Sequence, residues 1–248
     1  MAQIDIGRVT EIVRYPVKSM AGTTITESDL GWHGLAGDRR FAFRRVEGAG
    51  GFPWLTASRL PEMLSYRPVG QDHSSGEPLP THILTSSGTR LEPGSRALDD
   101  EISERFGSRV ELMRLNHGIF DEAAVSVISL ATIAAIGAAA EFQLDRRRFR
   151  ANLLIDTDRN DAFSEDQWVG GRLIIGDESR SAILNVTMSD LRCVMINLDP
   201  ETCEQNAEVL RTVTRLNDSN AGVYATVVGT GTIRKGDRVR FAPDQPDG

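Results

Sequence analysis

The sequence predicts a mainly β (α+β) fold with a few peripheral helices. Most of the 248 residues fall into short runs of β-branched and aromatic residues, with glycine, proline or aspartate between the runs. Only a few stretches repeat apolar residues at the three- and four-residue spacing of a helix. Together these two observations favour short strands as the main structural element.

The first strand is predicted within residues 9–17, where valines and a tyrosine alternate with polar residues. Pro16 indicates that this strand ends there or lies at the edge of a sheet. A second strand, residues 41–43, follows the Gly-Asp turn at 37–38. Further along the chain, β-prone runs predict strands at 172–176 and 223–228. Near the C-terminus, residues 232–234 and 238–241 flank a Lys-Gly-Asp turn, a pattern typical of a compact hairpin.

Three short helices are predicted. Apolar residues recur at four-residue intervals from Leu98 to Phe106 and define one amphipathic helix. Ser129 is a suitable N-cap for an alanine-rich helix that ends near Phe142. A third helix is predicted within residues 204–213.

Composition is that of a soluble globular protein. Hydrophobic residues make up 40% and charged residues 25%, and the formal net charge of −7 argues against a nucleic-acid partner. No apolar run approaches the roughly 18 residues of a membrane span, so no membrane partner is expected. Two cysteines cannot form a disulfide framework, and with no signal-peptide pattern at the start of the chain we expect a cytoplasmic protein.

Several enzyme classes lack their sequence signatures here. The chain has no Gly-x-Ser-x-Gly elbow, no phosphate-binding Walker motif and no Gly-x-Gly-x-x-Gly after a strand. It also lacks Cys-x-x-Cys and His-Glu-x-x-His, and its four histidines are scattered. These absences argue against a serine hydrolase, a nucleotide enzyme and a zinc site.

Cys193 is the most informative single residue. Arg192 precedes it, and a neighbouring cation favours the thiolate, which is both a nucleophile and a metal ligand. The alternative is an inert buried thiol, because free cysteine is among the most buried residue types. The local segment alone favours the buried thiol, and the rest of the chain favours the reactive one.

Four short segments combine arginine or lysine with hydroxyl or amide side chains, the groups that hold phosphate and other anions. Each segment alone is more commonly a solvated basic face, but several of them in an acidic protein indicate a local positive pocket. They are Tyr-Pro-Val-Lys-Ser at 15–19, Gly-Asp-Arg-Arg at 37–40, Thr-Ala-Ser-Arg at 56–59 and Arg-Arg-Arg-Phe-Arg-Ala-Asn at 146–152.

In order and spacing, these segments resemble the MOSC family, the molybdenum-cofactor sulfurase C-terminal domain preceded by its N-terminal β-barrel. The similarity is to the branch that contains the mitochondrial amidoxime-reducing component. Further shared segments are Phe-Ser-Glu-Asp-Gln-Trp at 163–168, Leu-Arg-Cys at 191–193, Asn-Leu-Asp-Pro-Glu-Thr at 197–202 and the closing run at 231–239.

The resemblance implies an N-terminal β-barrel-like domain over residues 1–118 and a MOSC β-barrel over 119–245, with a cofactor cleft between them. It implies the molybdenum–molybdopterin cofactor, with Cys193 as the metal ligand. We expect Asp190 or another nearby acid to deliver protons. The remaining expected cofactor contacts are Lys18, Ser19, Arg39, Arg150, Asn152 and Arg192.

The resemblance further implies a reductase of small N-hydroxylated substrates, converting N–OH to N–H and water. The chain has neither a flavin fingerprint nor a cysteine cluster, so a separate reductase or a ferredoxin-like protein would supply the electrons. One alternative is a sulfur or cofactor carrier in which Cys193 holds a persulfide. Another is a non-catalytic barrel that binds a different anionic ligand.

The chain departs from the family pattern in three places. Ala151 stands where relatives have proline. The segment 121–126 lacks a proline that relatives carry, and its serines are displaced. Cys203 stands where relatives often have glycine, so no catalytic role is assigned to it.

Overall fold

The computed structural model describes residues 3–47, 51–177 and 179–244. Within these residues it contains sixteen strands and three α-helices, which confirms the predicted mainly β fold class. The strands are β1 (Ile4–Arg14), β2 (Thr23–Ile25), β3 (Glu27–Gly31), β4 (Gly34–Leu35), β5 (Phe41–Arg45), β6 (Arg67–Val69), β7 (His82–Leu84), β8 (Arg90–Leu91), β9 (Val110–Arg114), β10 (Val125–Ser129), β11 (Leu153–Thr157), β12 (Arg172–Ile175), β13 (Ala182–Leu191), β14 (Asn220–Gly229), β15 (Gly231–Arg234) and β16 (Arg238–Ala242). The helices are α1 (Arg96–Phe106), α2 (Leu130–Ala139) and α3 (Glu208–Asn217).

Seven of the described strands close into a barrel in the order β11-β10-β14-β13-β12-β16-β1. Pairing between β1 and β11 closes it, and β2 extends the sheet from β1. The strands β10 and β11 run parallel, and the other barrel neighbours are antiparallel. Closure leaves these strands without a free edge along most of their length.

The barrel interior is filled by aliphatic side chains that alternate along the strands. In β1, Val9 and Ile12 point into this core and are almost fully buried. A register shift lies between Val9 and Glu11, and it places both apolar residues inward in spite of their odd spacing. Trp168 packs in the same core with 4% of its surface exposed.

The N-terminal half of the chain also forms small sheets outside the barrel. These are β15-β3-β4, β5-β9 and β6-β7-β8. A second core lies between β5, β9 and α1, with Phe43 and Ile102 fully buried in it. The predicted domain division between residues 118 and 119 stays a prediction, and two strand pairings, β1 with β16 and β3 with β15, connect the two parts.

The predicted helices are present. Ser95 caps α1 and Ser129 caps α2, each accepting a hydrogen bond from a first-turn backbone N–H. The third helix begins at Glu208, later than predicted, because the preceding residues are drawn into a β-bridge between Leu198 and Gln205.

The predicted C-terminal hairpin is wrong in its pairing. The turn is present, with the Asp237 N–H donating to the Arg234 carbonyl over 3.0 Å. The strand after the turn, β16, has β1 on one side and β12 on the other, so both of its edges are occupied. The strand before the turn, β15, therefore pairs with β3.

Among the described helices, none combines the length and the apolar character needed to cross a bilayer.

Candidate functional site

A cleft with a volume of about 600 Å³ lies where the N-terminal segments meet the barrel. This volume is within the range of small-molecule sites, about 300–1,000 Å³. Basic and hydroxyl side chains line it from the N-terminal side, and the end of β13 lines it from the barrel. Its walls include Lys18, Ser19, Arg39, Thr56, Ser58, Arg59, Asp121, Ser126, Arg148, Arg150, Asp190, Arg192, Cys193 and Tyr224.

Cys193 lies two residues after the end of β13, at the start of a 3-10 turn formed by Val194–Asn197. Its thiol is free and exposed to solvent in the cleft. The local expectation of an inert buried thiol is therefore wrong, because the strand ends before Cys193 and the turn carries it to the surface.

The Arg192 guanidinium lies beneath this turn and is buried. It donates to the carbonyls of Phe149 and Ala221, each over 2.7 Å. Its third nitrogen, Nη2, lies 2.9 Å from the Asp190 carboxylate. Arg192 thus connects the cysteine-bearing segment to two other parts of the barrel, and its predicted contact with a cofactor stays a prediction.

Asp190 lines the cleft from the barrel side and is 2% exposed. It accepts a hydrogen bond of 2.9 Å from the Ser126 hydroxyl. Burial raises the pKa of Asp190, and the charge of Arg192 and the Ser126 hydrogen bond only partly oppose this rise. The Asp190 carboxyl, three residues before Cys193 in sequence, therefore has a raised affinity for a proton.

The basic groups on the N-terminal side are organised around Tyr15. The guanidinium carbon of Arg150 lies 4.4 Å from the centre of the Tyr15 ring, and that of Arg39 lies 5.0 Å from it. Arg39 also donates to the Arg150 carbonyl over 3.0 Å and to the Asp38 carboxylate over 2.5 Å. One aromatic ring thus holds two cations side by side at the cleft.

Three of the predicted cofactor-binding residues have left-handed backbone conformations. The φ angles are 68° at Ser19, 49° at Arg39 and 51° at Arg150. Such conformations are uncommon for residues other than glycine and tend to cluster at functional sites. The same three side chains line one cleft, so the strained backbone and the basic lining occur together.

Burial disfavours the charged forms of two basic side chains in the cleft, Arg150 and Lys18. Burial, together with the charge of the neighbouring Arg39, lowers the pKa of Arg150 to about 10. Burial also lowers the pKa of Lys18, which is 4% exposed, and Asp121 only partly offsets the effect. An anionic ligand would relieve both groups, because it would stabilise their charged forms.

Lys18 and Asp121 form an ion pair of 2.6 Å across the cleft wall. Burial alone would raise the pKa of Asp121, but the charges of Lys18 and Arg39 hold it below its usual value. Asp121 and Ser126 both belong to the segment 121–126, which departs from the family pattern. The structure places both side chains on the cleft in spite of that departure.

Asn152 is 1% exposed and lies behind the cleft wall. Its amide oxygen accepts from Arg39 and from the Ser126 N–H, and its amide nitrogen donates to the Val13 carbonyl. The structure thus shows Asn152 holding Arg39 in place, and its predicted direct contact with the cofactor stays a prediction.

The arginine run at 146–150 divides between the surface and the cleft. Arg146 pairs with Glu11 and Arg147 with Asp145 on the surface, whereas Arg148 and Arg150 line the cleft. The acids within residues 163–168 do not pair with this run among the described contacts. Glu165 accepts from the Ser129 N–H at the start of α2, and Asp166 accepts from Ser189 and Asn217.

The roles of Tyr15 and Asp38 were not predicted, although both residues lie in motifs that the sequence analysis identified. Tyr15 was part of a strand motif, but its contact with two guanidiniums depends on residues up to 135 positions away. Asp38 was part of a turn motif, and it is fully buried, accepting from the Tyr15 N–H and from Arg39. The adjacent acid and arginine of the Gly-Asp-Arg turn are the sequence signal that would have indicated the Asp38–Arg39 pair.

Cys203 has a φ of 61°, in the left-handed region that favours glycine. This explains physically why relatives carry glycine there. Cys203 does not line the cleft, and burial raises the pKa of its thiol.

Two family models match the chain. The model of the MOSC domain covers residues 114–240, more than half of the chain, and that of the MOSC N-terminal beta barrel domain covers residues 6–76. No curated protein sequence matches.

Among solved structures, the YUAD protein from Bacillus subtilis is similar with a TM-score of 0.54 at 12% identity, over 98% of this chain and 99% of that one. At this identity the likeness shows the fold alone. YiiM from Geobacillus stearothermophilus matches 48% of this chain and 54% of its own, with a TM-score of 0.37 at 12% identity. YiiM from Escherichia coli matches 50% of this chain and 57% of its own, with a TM-score of 0.35 at 14% identity.

Proposed function

The chain belongs to the MOSC domain family, and on that premise we propose that it binds the molybdenum cofactor in the cleft and reduces N-hydroxylated compounds. One observation carries the proposal: a solvent-exposed thiol, Cys193, shares a cleft with the buried cation Lys18 and the partly buried cation Arg39. MOSC domains are associated with proteins that bind this cofactor and with sulfurase-like proteins.

The residues present fit the chemistry of the cofactor. A thiolate is a soft ligand that suits a transition metal, and the pterin carries an anionic phosphate. Of the nitrogen atoms of Arg150, Nη1 donates to the Met20 carbonyl, and the other two have no hydrogen-bond acceptor among the described residues. Those two N–H-bearing atoms are available to an anion, and Thr56 and Ser58 add hydroxyl groups on the same cleft.

When bound, the cofactor would supply the two-electron chemistry. The overall reaction consumes two electrons and two protons, breaks the N–O bond, and yields N–H and water. The Cys193 thiolate would hold the metal at the end of β13, and Arg39 and Arg150 would hold the phosphate. Asp190, whose pKa burial raises, would hold a proton at its carboxyl oxygen and supply it to the leaving oxygen.

A separate reductase or ferredoxin-like protein would supply the electrons. The chain has two cysteines, and they lie apart, with Cys193 in the cleft and Cys203 outside it. An iron–sulfur centre with four cysteine ligands is therefore excluded.

The proposal is tested by the molybdenum and pterin content of the protein made in a host that produces the cofactor. We expect near-stoichiometric molybdenum in the wild type and in Cys203→Ala, the matched control. Cys193→Ala should lose most of its molybdenum and retain pterin, because the arginines remain. A wild-type protein without molybdenum or pterin, under conditions that load a known relative, would contradict the proposal.

The exposure of Cys193 also favours a second candidate function, a sulfur carrier. An exposed thiol is open to a sulfur donor protein, and a persulfide is a reversible modification of such a thiol. Intact-protein mass spectrometry after incubation with a cysteine desulfurase and free cysteine, its sulfur source, distinguishes this function, since the persulfide sulfur of the desulfurase would pass to the Cys193 thiol. A gain of one sulfur atom in the wild type and in Cys203→Ala, but not in Cys193→Ala, would support it.

A further inference from the structure

The wall of the cleft beside Cys193 carries exposed apolar side chains as well as polar ones. Met188 and Leu191 both lie in β13 and both line the cleft. They are 41% and 69% exposed, so a large part of each side chain is in contact with water. Val194, in the next turn, is 47% exposed. Exposed apolar residues grouped beside a reactive residue are typical of a binding surface, whereas scattered ones need no explanation.

The backbone of β13 is irregular where these residues lie. In a regular strand, residues three positions apart point to opposite faces, so Met188 and Leu191 would not both be exposed. The pairing of β13 with β14 shifts register between Val186 and Met188 and again between Ser189 and Leu191. Such bulges redirect side chains and are frequent beside active sites. Here they leave Asp190 buried and both apolar side chains exposed on the cleft.

The two walls of the cleft thus differ in chemistry. Lys18, Arg39 and Arg150 belong to the wall that would hold an anionic cofactor. Met188 and Leu191 belong to the wall that carries Cys193, where the metal would be bound and the substrate would react. A substrate that reacts there would contact these apolar side chains with the part of the molecule that does not react.

We propose that Met188 and Leu191 are specificity-determining residues that contact the non-reacting body of the substrate. The protein would then select N-hydroxylated compounds that carry an aryl or larger alkyl group over small polar ones. This inference rests on the proposed reductase function. Removing part of an apolar contact in a pocket changes specificity by about 10- to 200-fold, and the partial exposure of Leu191 places its effect near the lower limit.

The test compares two hydroxamic acids with the same reacting group, benzohydroxamic acid and acetohydroxamic acid. Each would be reduced to its amide and water by two equivalents of reduced methyl viologen, which removes the need for a protein partner. Leu191→Ser should lower kcat/KM for benzohydroxamic acid about tenfold and leave that for acetohydroxamic acid within about twofold. Val228→Ser is the matched control, because Val228 is 46% exposed on β14 and does not line the cleft.

Equal losses for both substrates in Leu191→Ser would overturn the inference, since they would indicate that Leu191 only positions Cys193. Unchanged kinetics for both substrates would overturn it as well.

Binding to the molybdenum-loaded protein, measured by titration calorimetry, gives a readout that does not depend on turnover. Wild type and Val228→Ser should bind benzohydroxamic acid more tightly than acetohydroxamic acid, and Leu191→Ser should lose that preference. One outcome is that neither compound is reduced while wild type still binds benzohydroxamic acid more tightly and Leu191→Ser does not. In that case the reductase proposal fails and the apolar contact is supported. If wild type shows no preference, the apolar contact fails whatever the activity.

Discussion

At the scale of single residues, the cleft depends on side chains that lie behind it. Asn152 uses both ends of its amide, receiving hydrogen bonds from Arg39 and Ser126 and donating one to Val13. These partners come from three separate parts of the chain. Because Asn152 is 1% exposed, water cannot replace the bonds if the amide is lost.

Asn152→Ala should therefore lower the free energy of unfolding by about 2–4 kcal/mol, because it removes three hydrogen bonds and leaves a buried N–H unsatisfied. Urea denaturation followed by circular dichroism measures this change. Gln143→Ala, which removes an exposed amide, should change stability by less than about 0.5 kcal/mol. A decrease in the free energy of unfolding of less than about 1 kcal/mol in Asn152→Ala would show that the amide contributes little to stability.

Single-residue predictions from the sequence were most informative where a motif carried both the residue and its neighbours. Cys193 was identified only when its segment was read together with the rest of the chain, and Arg39 and Arg150 were identified as anion-binding groups that the structure brings to one cleft. The contact of both arginines with the Tyr15 ring was not predictable, because three segments far apart in sequence must first fold together.

At the scale of elements, a charged contact between Arg40 and Glu77 connects the loop at residues 70–80 to the rest of the protein. Arg40 makes two hydrogen bonds with the Glu77 carboxylate, of 2.8 and 2.6 Å. The Arg40 side chain is 3% exposed and that of Glu77 is 28% exposed. Two parallel charge-assisted hydrogen bonds with little solvent access are among the stronger polar contacts in proteins.

Glu77→Gln should lower the free energy of unfolding at pH 7 by about 1–2 kcal/mol, less than the loss of a fully buried pair because Glu77 is partly exposed. The hydrogen bonds from Arg40 hold the pKa of Glu77 below its usual value. A lowered pKa in the folded state means that the stabilisation is fully present above the unfolded value, near 4.3, and is lost as the pH falls through the lower folded value.

The difference between wild type and Glu77→Gln should thus shrink as the pH falls below about 4. Thermal unfolding from pH 7 to pH 3 measures it, with Glu92→Gln, an exposed carboxylate, as the control that should differ little from wild type at any pH. A constant difference over that range would mean that Glu77 acts through packing.

Elements that depend on local sequence were predicted well. Ser129 caps a helix as predicted, because a cap and the first turn it bonds are neighbours in sequence. The hairpin around residues 235–237 was predicted from equally local signals and has the wrong pairing. The turn signal is correct, but strand pairing depends on which edges the closed barrel leaves free, and β16 has none.

At the scale of the whole molecule, the first strand belongs to the barrel formed mostly by the last half of the chain. In β1, Gly7 lies opposite Thr157 of β11 and Val239 of β16. A Cβ atom at Gly7 would lie 2.1 Å from the Asp156 carbonyl oxygen, so the strands approach more closely here than a side chain allows. From β3 and β4, Leu30 and Leu35 complete the barrel core.

These connections predict that residues 119–244 alone do not form a stable barrel. Without β1, the strands β11 and β16 each lose a partner, and their exposed edges favour aggregation. A second fragment supplies what is missing by joining residues 3–36 after residue 244 through a short glycine-rich linker. Such a linker suits the geometry, because β1 and β16 are antiparallel neighbours with Ile4 opposite Phe241.

We expect the first fragment to be insoluble or to unfold without cooperativity, and the second to be monomeric with a cooperative thermal transition. Size-exclusion chromatography and calorimetry measure both. If residues 119–244 alone were monomeric and unfolded cooperatively, the barrel would not need β1, and the two parts of the chain would be independent folding units.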